Sequence, residues 1–144
     1  MFFSNLEKAE KQTLAISNQS AELARVAEWL EQLSIEFQLN DDIVFKIDLV
    51  LNECLINIIS YAYRDQAEHT ITINFYPDAD HVVLEVIDDG FHFNPFTREP
   101  LPPQLTLESA TPDGRGILLI KSFTDNQEYL RLNNSNIMRV YIKK

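Results

Sequence analysis

Glu53 and Asn57 stand four residues apart in the run Asn52-Glu53-Cys54-Leu55-Ile56-Asn57. At about 3.6 residues per turn, that spacing sets them roughly 40° apart around a helix. A carboxylate and a carboxamide on one flank suit two tasks, a general base and an oxygen ligand to a hard cation such as Mg2+. The same spacing also serves an exposed Glu and a surface or capping Asn. Further along, Val86-Ile87-Asp88-Asp89-Gly90 ends an apolar alternation in two acids and a glycine. Asp-Gly is ordinary turn chemistry. In a pocket, however, Asp88 at a strand end accepts a hydrogen bond from an exocyclic amine such as adenine N6, and Gly90 lets the base approach the backbone. A third segment, Asp113-Gly114-Arg115-Gly116, leads directly into Ile117-Leu118-Leu119-Ile120. Glycines at the start of an apolar helix expose backbone N–H groups and the positive end of the helix dipole to phosphate. Gly-x-Gly alone is a weak motif, and the further residues of the dinucleotide and P-loop fingerprints are absent.

Gly90, Gly114 and Gly116 are the only glycines in the chain, where average usage predicts about ten. Each is expected to serve a backbone need, either a positive φ or close approach of a ligand to the main chain. His92 reads as a loop or pocket-wall residue, because neither His69 nor His81 completes a metal-ligand set with it. Cys54, the single cysteine, lies in an apolar run and reads as a small buried thiol, and no disulfide can form within the chain.

The elements that must position these residues follow from composition and period. The chain has 144 residues, 45% apolar and 24% charged, the composition of one globular domain over 1–144 rather than of a disordered chain. A net charge of −10 argues against a broad phosphate-binding face and so against direct nucleic-acid binding. No apolar run approaches the ~20 residues of a membrane span, and Met1-Phe2-Phe3-Ser4-Asn5 does not begin a secretory signal. A cytoplasmic protein with no membrane association is expected.

Alternation predicts a short strand over 11–17. Ser20 offers an N-cap to a helix carrying Leu23, Val26, Ala27, Leu30, Leu33 and Phe37 and ending near Leu39-Asn40. Asp41-Asp42 opens a longer helix to about Tyr63, with acids at its positive end and a wide apolar stripe. Strands over 70–76 and 81–87 flank a Pro77-Asp78-Ala79-Asp80 turn as a hairpin. Five of the six prolines fall between Asn94 and Asp113, which reads as a long functional loop. A short helix over 116–123 and strands over 127–132 and 137–142 complete the chain. The expected class is α+β, a two-layer α/β sandwich with a mixed, mostly antiparallel sheet and helices on one face.

Taken in order, the Glu/Asn helix, the strand-end Asp-x-Gly, the proline-rich lid over about 95–113 and the Gly-x-Gly helix resemble the Bergerat ATP-binding fold. That fold is shared by histidine kinases, gyrase-like ATPases and anti-sigma-factor kinases, and the three segments correspond to its N, G1 and G2 boxes. The chain is most similar to the small bacterial anti-sigma-factor serine kinases, also called switch-protein kinases. The likeness runs through residues 52–63, 88–95 and 114–125 and covers the chain in order and length. It implies Glu53 as general base toward a substrate serine, Asn57 as ligand to Mg2+ on the phosphates of ATP, and Asp88 and Gly90 at the adenine. Gly114 and Gly116 would line the phosphates, with Arg115 as a nearby positive charge. Two features depart from the pattern: His92 stands where relatives carry a second G1 glycine, and residues 96–111 hold no glycine, with Arg98 the one candidate phosphate sensor there.

The expected function is an ATP- and Mg2+-dependent protein-serine kinase that phosphorylates a STAS-type anti-anti-sigma antagonist and alternately sequesters a sigma factor or other regulated target. The resemblance also implies a homodimer. Two alternatives are a non-catalytic, nucleotide-gated partner-binding module and a detached histidine-kinase catalytic domain.

Overall fold

The computed structural model describes residues 10–96 and 110–144, with backbone alone for 110–115. The elements are β1 (Gln12–Ser17), a 3-10 turn (Ser20–Glu22), α1 (Leu23–Glu36), α2 (Asp41–Tyr61), β2 (Thr70–Pro77), β3 (His81–Asp88), α3 (Ala110–Ser122), β4 (Asn126–Leu132) and β5 (Ser135–Lys143). The strands form one sheet in the order β1-β2-β3-β5-β4, and all four pairings are antiparallel. This is the expected α+β architecture, with the helices packed on one face, except that the sheet is antiparallel throughout rather than mixed.

Alternation along each strand sends one set of side chains to the helices. Ile71, Ile73 and Phe75 of β2, Leu84 and Val86 of β3, and Val140 and Ile142 of β5 are buried against Ile47, Val50, Leu51 and Leu55 of α2. That stripe makes α2 the central helix of the core. Asp41 and Asp42 fill its first turn as expected, and Asn40, not singled out in the sequence as an N-cap, caps it, its Oδ1 accepting a hydrogen bond from the Ile43 N–H at 2.9 Å.

Local expectations fail at three boundaries. Ser20 does not cap α1 but opens the 3-10 turn. α1 stops at Glu36, short of Leu39, because Gln38 takes a left-handed φ of 52° and the Leu39 N–H turns back to the Ser34 carbonyl at 2.9 Å. This is a Schellman ending with glutamine where glycine is usual, so no sequence signal marks it. The third difference is at α3, which begins at Ala110 rather than Gly116. Pro112 reads as a loop residue, yet proline is tolerated in a first helical turn, where its missing N–H costs no hydrogen bond. Most of the expected lid, 97–109, lies outside the described residues. Among the described residues, no helix is long and apolar enough to cross a membrane.

Candidate active site

Glu53 and Asn57 lie one turn apart on α2, both half-buried. α3 crosses this flank in the opposite sense to α2: Phe123 beyond its end meets Phe45, with ring centroids 5.9 Å apart, whereas Gly116 meets Glu53 and Asn57. A β-carbon on Gly116 would lie 2.7 Å from Glu53 Oε2 and 3.5 Å from Asn57 Nδ2. The helix carrying Gly114 and Gly116 is therefore brought onto Glu53 and Asn57, but the two glycines do not open it as the sequence reading expected. Gly114 and Gly116 sit inside α3, so the N–H groups that its first turn leaves without helical partners belong to Ala110, Thr111 and Asp113, Pro112 having none. Gly116 serves by leaving out a side chain.

Beyond Asn57, an open cavity runs under the end of α2 to the sheet. Asn57, Ile58, Ala62, Asp88, Phe91 and Asn136 are among its lining residues. Its mostly apolar walls with few polar groups are those of a small-molecule site. Asp88, at the end of β3, is the acid on its lining and is only 6% exposed. Its Oδ1 accepts hydrogen bonds from the Gly90 N–H at 2.8 Å and the Asn136 amide at 3.0 Å. Burial pushes the Asp88 carboxyl above the usual carboxylate range, against the downward pull of those two donors. Cys54 lies on the same wall as the expected buried thiol, its pKa raised by burial.

Gly90 has a structural reason that differs from the expected one. None of the described glycines has a positive φ. A β-carbon at Gly90 would lie 2.5 Å from the Ala62 carbonyl oxygen and 2.6 Å from the Ala62 β-carbon. The neighbouring Phe91 N–H donates to that same carbonyl at 3.1 Å. Gly90 thus lets the turn after β3 press against the C-terminal end of α2. Arg131 of β4 holds the turn from the other side, donating to the Gly90 carbonyl at 2.8 Å.

Asn136, Tyr129 and Arg131 are the site residues that sequence reasoning missed. β3 and β5 pair so that Asp88 faces Asn136, and Tyr129 on β4 donates its hydroxyl proton to Asn136 Oδ1. No local motif could have singled them out, because their importance comes from strand register alone. His92 is exposed, its ring 5.8 Å from that of Tyr129. It belongs to the loop after β3 and is not among the residues that line the cavity. Beside the site, His69 stacks on Tyr63 at 4.1 Å and bridges two acids, with Nε2 2.7 Å from Asp65 and Nδ1 3.1 Å from Asp89. The bond to Asp65, reinforced by Asp89, raises the His69 pKa above its ordinary value.

Comparison with known proteins agrees with this architecture. The serine/threonine-protein kinase BtrW of Bordetella bronchiseptica is 25% identical over 124 residues, covering 86% of this chain and 87% of that protein. The pattern of the histidine kinase-like ATPase domain matches residues 16–142, nearly the whole length. With its helix-backed antiparallel sheet, its cavity at the end of α2 and this match, the chain belongs to the histidine kinase-like ATPase domain family, an ATP-binding, kinase-like group.

Proposed function

We propose that this chain is an ATP- and Mg2+-dependent protein-serine kinase that acts in the cytoplasm as a homodimer. Its substrate in this reading is a STAS-type antagonist, and it alternately sequesters a sigma factor or another regulated target. The observation that carries the reading is the junction at Gly116, where the Glu53 carboxylate stands beside Asn57, itself on the wall of the cavity that Asp88 lines. One run of side chains thus links a group for the base, a group for the phosphates and a general base.

Asp88 accepts from the exocyclic amine of adenine, and Gly90 keeps the adjoining turn closed on α2. Asn57 fits the metal: a neutral carboxamide oxygen beside a carboxylate suffices for Mg2+, which keeps most of its shell as phosphate and water oxygens. When bound, Mg2+ supplies neutralisation of phosphate charge. Gly114 and Gly116 leave room for the phosphates along α3, and Arg115 adds a positive charge at that end. Glu53 takes the serine hydroxyl proton as the serine oxygen bonds to the γ-phosphorus and the bond to the β-phosphate oxygen breaks, releasing ADP. Positioning and charge neutralisation carry most of such a transfer, so few protein groups are required.

Transfer of labelled phosphate from ATP to a STAS-domain antagonist tests the proposal. Glu53→Gln is expected to lower transfer by about 10²–10⁴-fold, the usual contribution of a general base, with ATP binding retained. Wild-type protein that binds ATP yet labels no antagonist would leave the nucleotide-gated binding module, the reading favoured by His92 in place of the second G1 glycine.

A further inference from the structure

We infer that Asn136, supported by Tyr129, sets the base specificity of the nucleotide site by holding Asp88 as a hydrogen-bond acceptor. The inference rests on the nucleotide reading of the cavity and adds to it two residues that no motif supplies.

Four partners surround the Asn136 carboxamide, and they agree on its orientation. Its nitrogen donates to Asp88 Oδ1 at 3.0 Å and to the Phe91 carbonyl at 2.8 Å. Its oxygen accepts from the Tyr129 hydroxyl and, at 3.4 Å, from the Phe93 N–H. Reversing the amide would set its oxygen against the Phe91 carbonyl and its nitrogen against the Phe93 N–H, losing bonds on both sides. The carboxamide is therefore locked with its donor edge toward Asp88.

That lock has a chemical consequence. Asp88 Oδ1 already receives the Gly90 N–H and the Asn136 amide, so Oδ2 is the oxygen left for a ligand. Two fixed donors favour the ionised carboxylate over the neutral acid in a buried position. An ionised carboxylate only accepts, which suits the 6-amino group of adenine and opposes the 6-oxo group of guanine or hypoxanthine. Without Asn136, a buried Asp88 lined by the apolar wall of the cavity takes up a proton more readily. A neutral carboxyl both donates and accepts, and so admits a 6-oxo base as well. Asn136 and Tyr129 are accordingly positioning residues: they act through Asp88 rather than on the base itself.

Calorimetric titration of the full chain with Mg-ATP and Mg-ITP tests this, because the two nucleotides differ at the 6-position of the base. Wild type is expected to favour ATP by on the order of ten- to a hundredfold, the worth of one hydrogen bond to a charged group. Asn136→Leu keeps the branched shape without the polar edge and should bring the ratio toward unity. Tyr129→Phe, which removes one of the bonds that orient the amide, should give an intermediate ratio, and it decides the matter if Asn136→Leu does not fold. Equal weakening of both nucleotides in the variants, with the ratio unchanged, would mean a structural role only and overturn the inference. Wild type binding both nucleotides equally would overturn it too, while leaving the nucleotide reading intact. Wild type binding neither would overturn both.

Discussion

Gly116 of α3 and Glu53 of α2 are in contact through the absence of a side chain: a β-carbon on Gly116 would lie 2.7 Å from Glu53 Oε2. What it would meet is the far end of a flexible side chain, not backbone. Gly116→Ala should therefore be well tolerated by the fold, and the gain in helix propensity, up to about 1 kcal/mol, offsets the displacement. The Glu53 carboxylate has to move, and phosphotransfer should fall by at least tenfold. Thermal unfolding alongside the transfer assay checks the pair of outcomes, and unchanged transfer would show that Glu53 has no need of this position.

Gly90 presents the opposite case. Its missing side chain faces the Ala62 carbonyl oxygen and β-carbon at 2.5 and 2.6 Å, at the end of the core helix. A carbonyl and a β-carbon fixed to the helix backbone cannot swing away, so Gly90→Ala should destabilise the protein by about 1–3 kcal/mol, as overpacking does. It should also break the hydrogen bond from the Phe91 N–H to the Ala62 carbonyl. Urea denaturation gives the first quantity, and amide exchange at Phe91 reports the second.

His69 makes stability depend on pH. Its pKa is raised in the folded state by the bond to Asp65 and by Asp89. A raised folded pKa means that the protonated clamp adds stability in full below the unfolded value of about 6.5 and loses it as pH rises through the folded value. His69→Gln should remove that dependence. Melting curves of the two proteins should therefore lie furthest apart near pH 6 and converge at alkaline pH, and a constant difference across the range would rule the clamp out.

The sequence by itself determined the elements and the chemical pair. Period-two alternation over Thr70–Pro77 and His81–Asp88, and the apolar stripe of Asp41–Tyr61, follow from side chains that choose between water and core within one element. For the same reason, Glu53 and Asn57 were legible as neighbours, since helical geometry alone puts them on one flank. The glycines were legible as constrained positions, but not what constrains them. Ala62 stands behind Gly90 and Glu53 behind Gly116 only once the turn after β3 and helix α3 have docked on α2.

The tertiary structure alone decided which residues complete the site. Asn136 lies 48 positions from Asp88 and reaches it through the antiparallel register of β3 and β5. Tyr129 and Arg131 arrive on the next strand. Pairing between strands is set by the burial of whole faces and leaves no local period in the chain, so polar groups that meet across it carry no motif. The start of α3 at Ala110 was hidden likewise, because Pro112, Gly114 and Gly116 favour a loop by type, although a first helical turn tolerates proline.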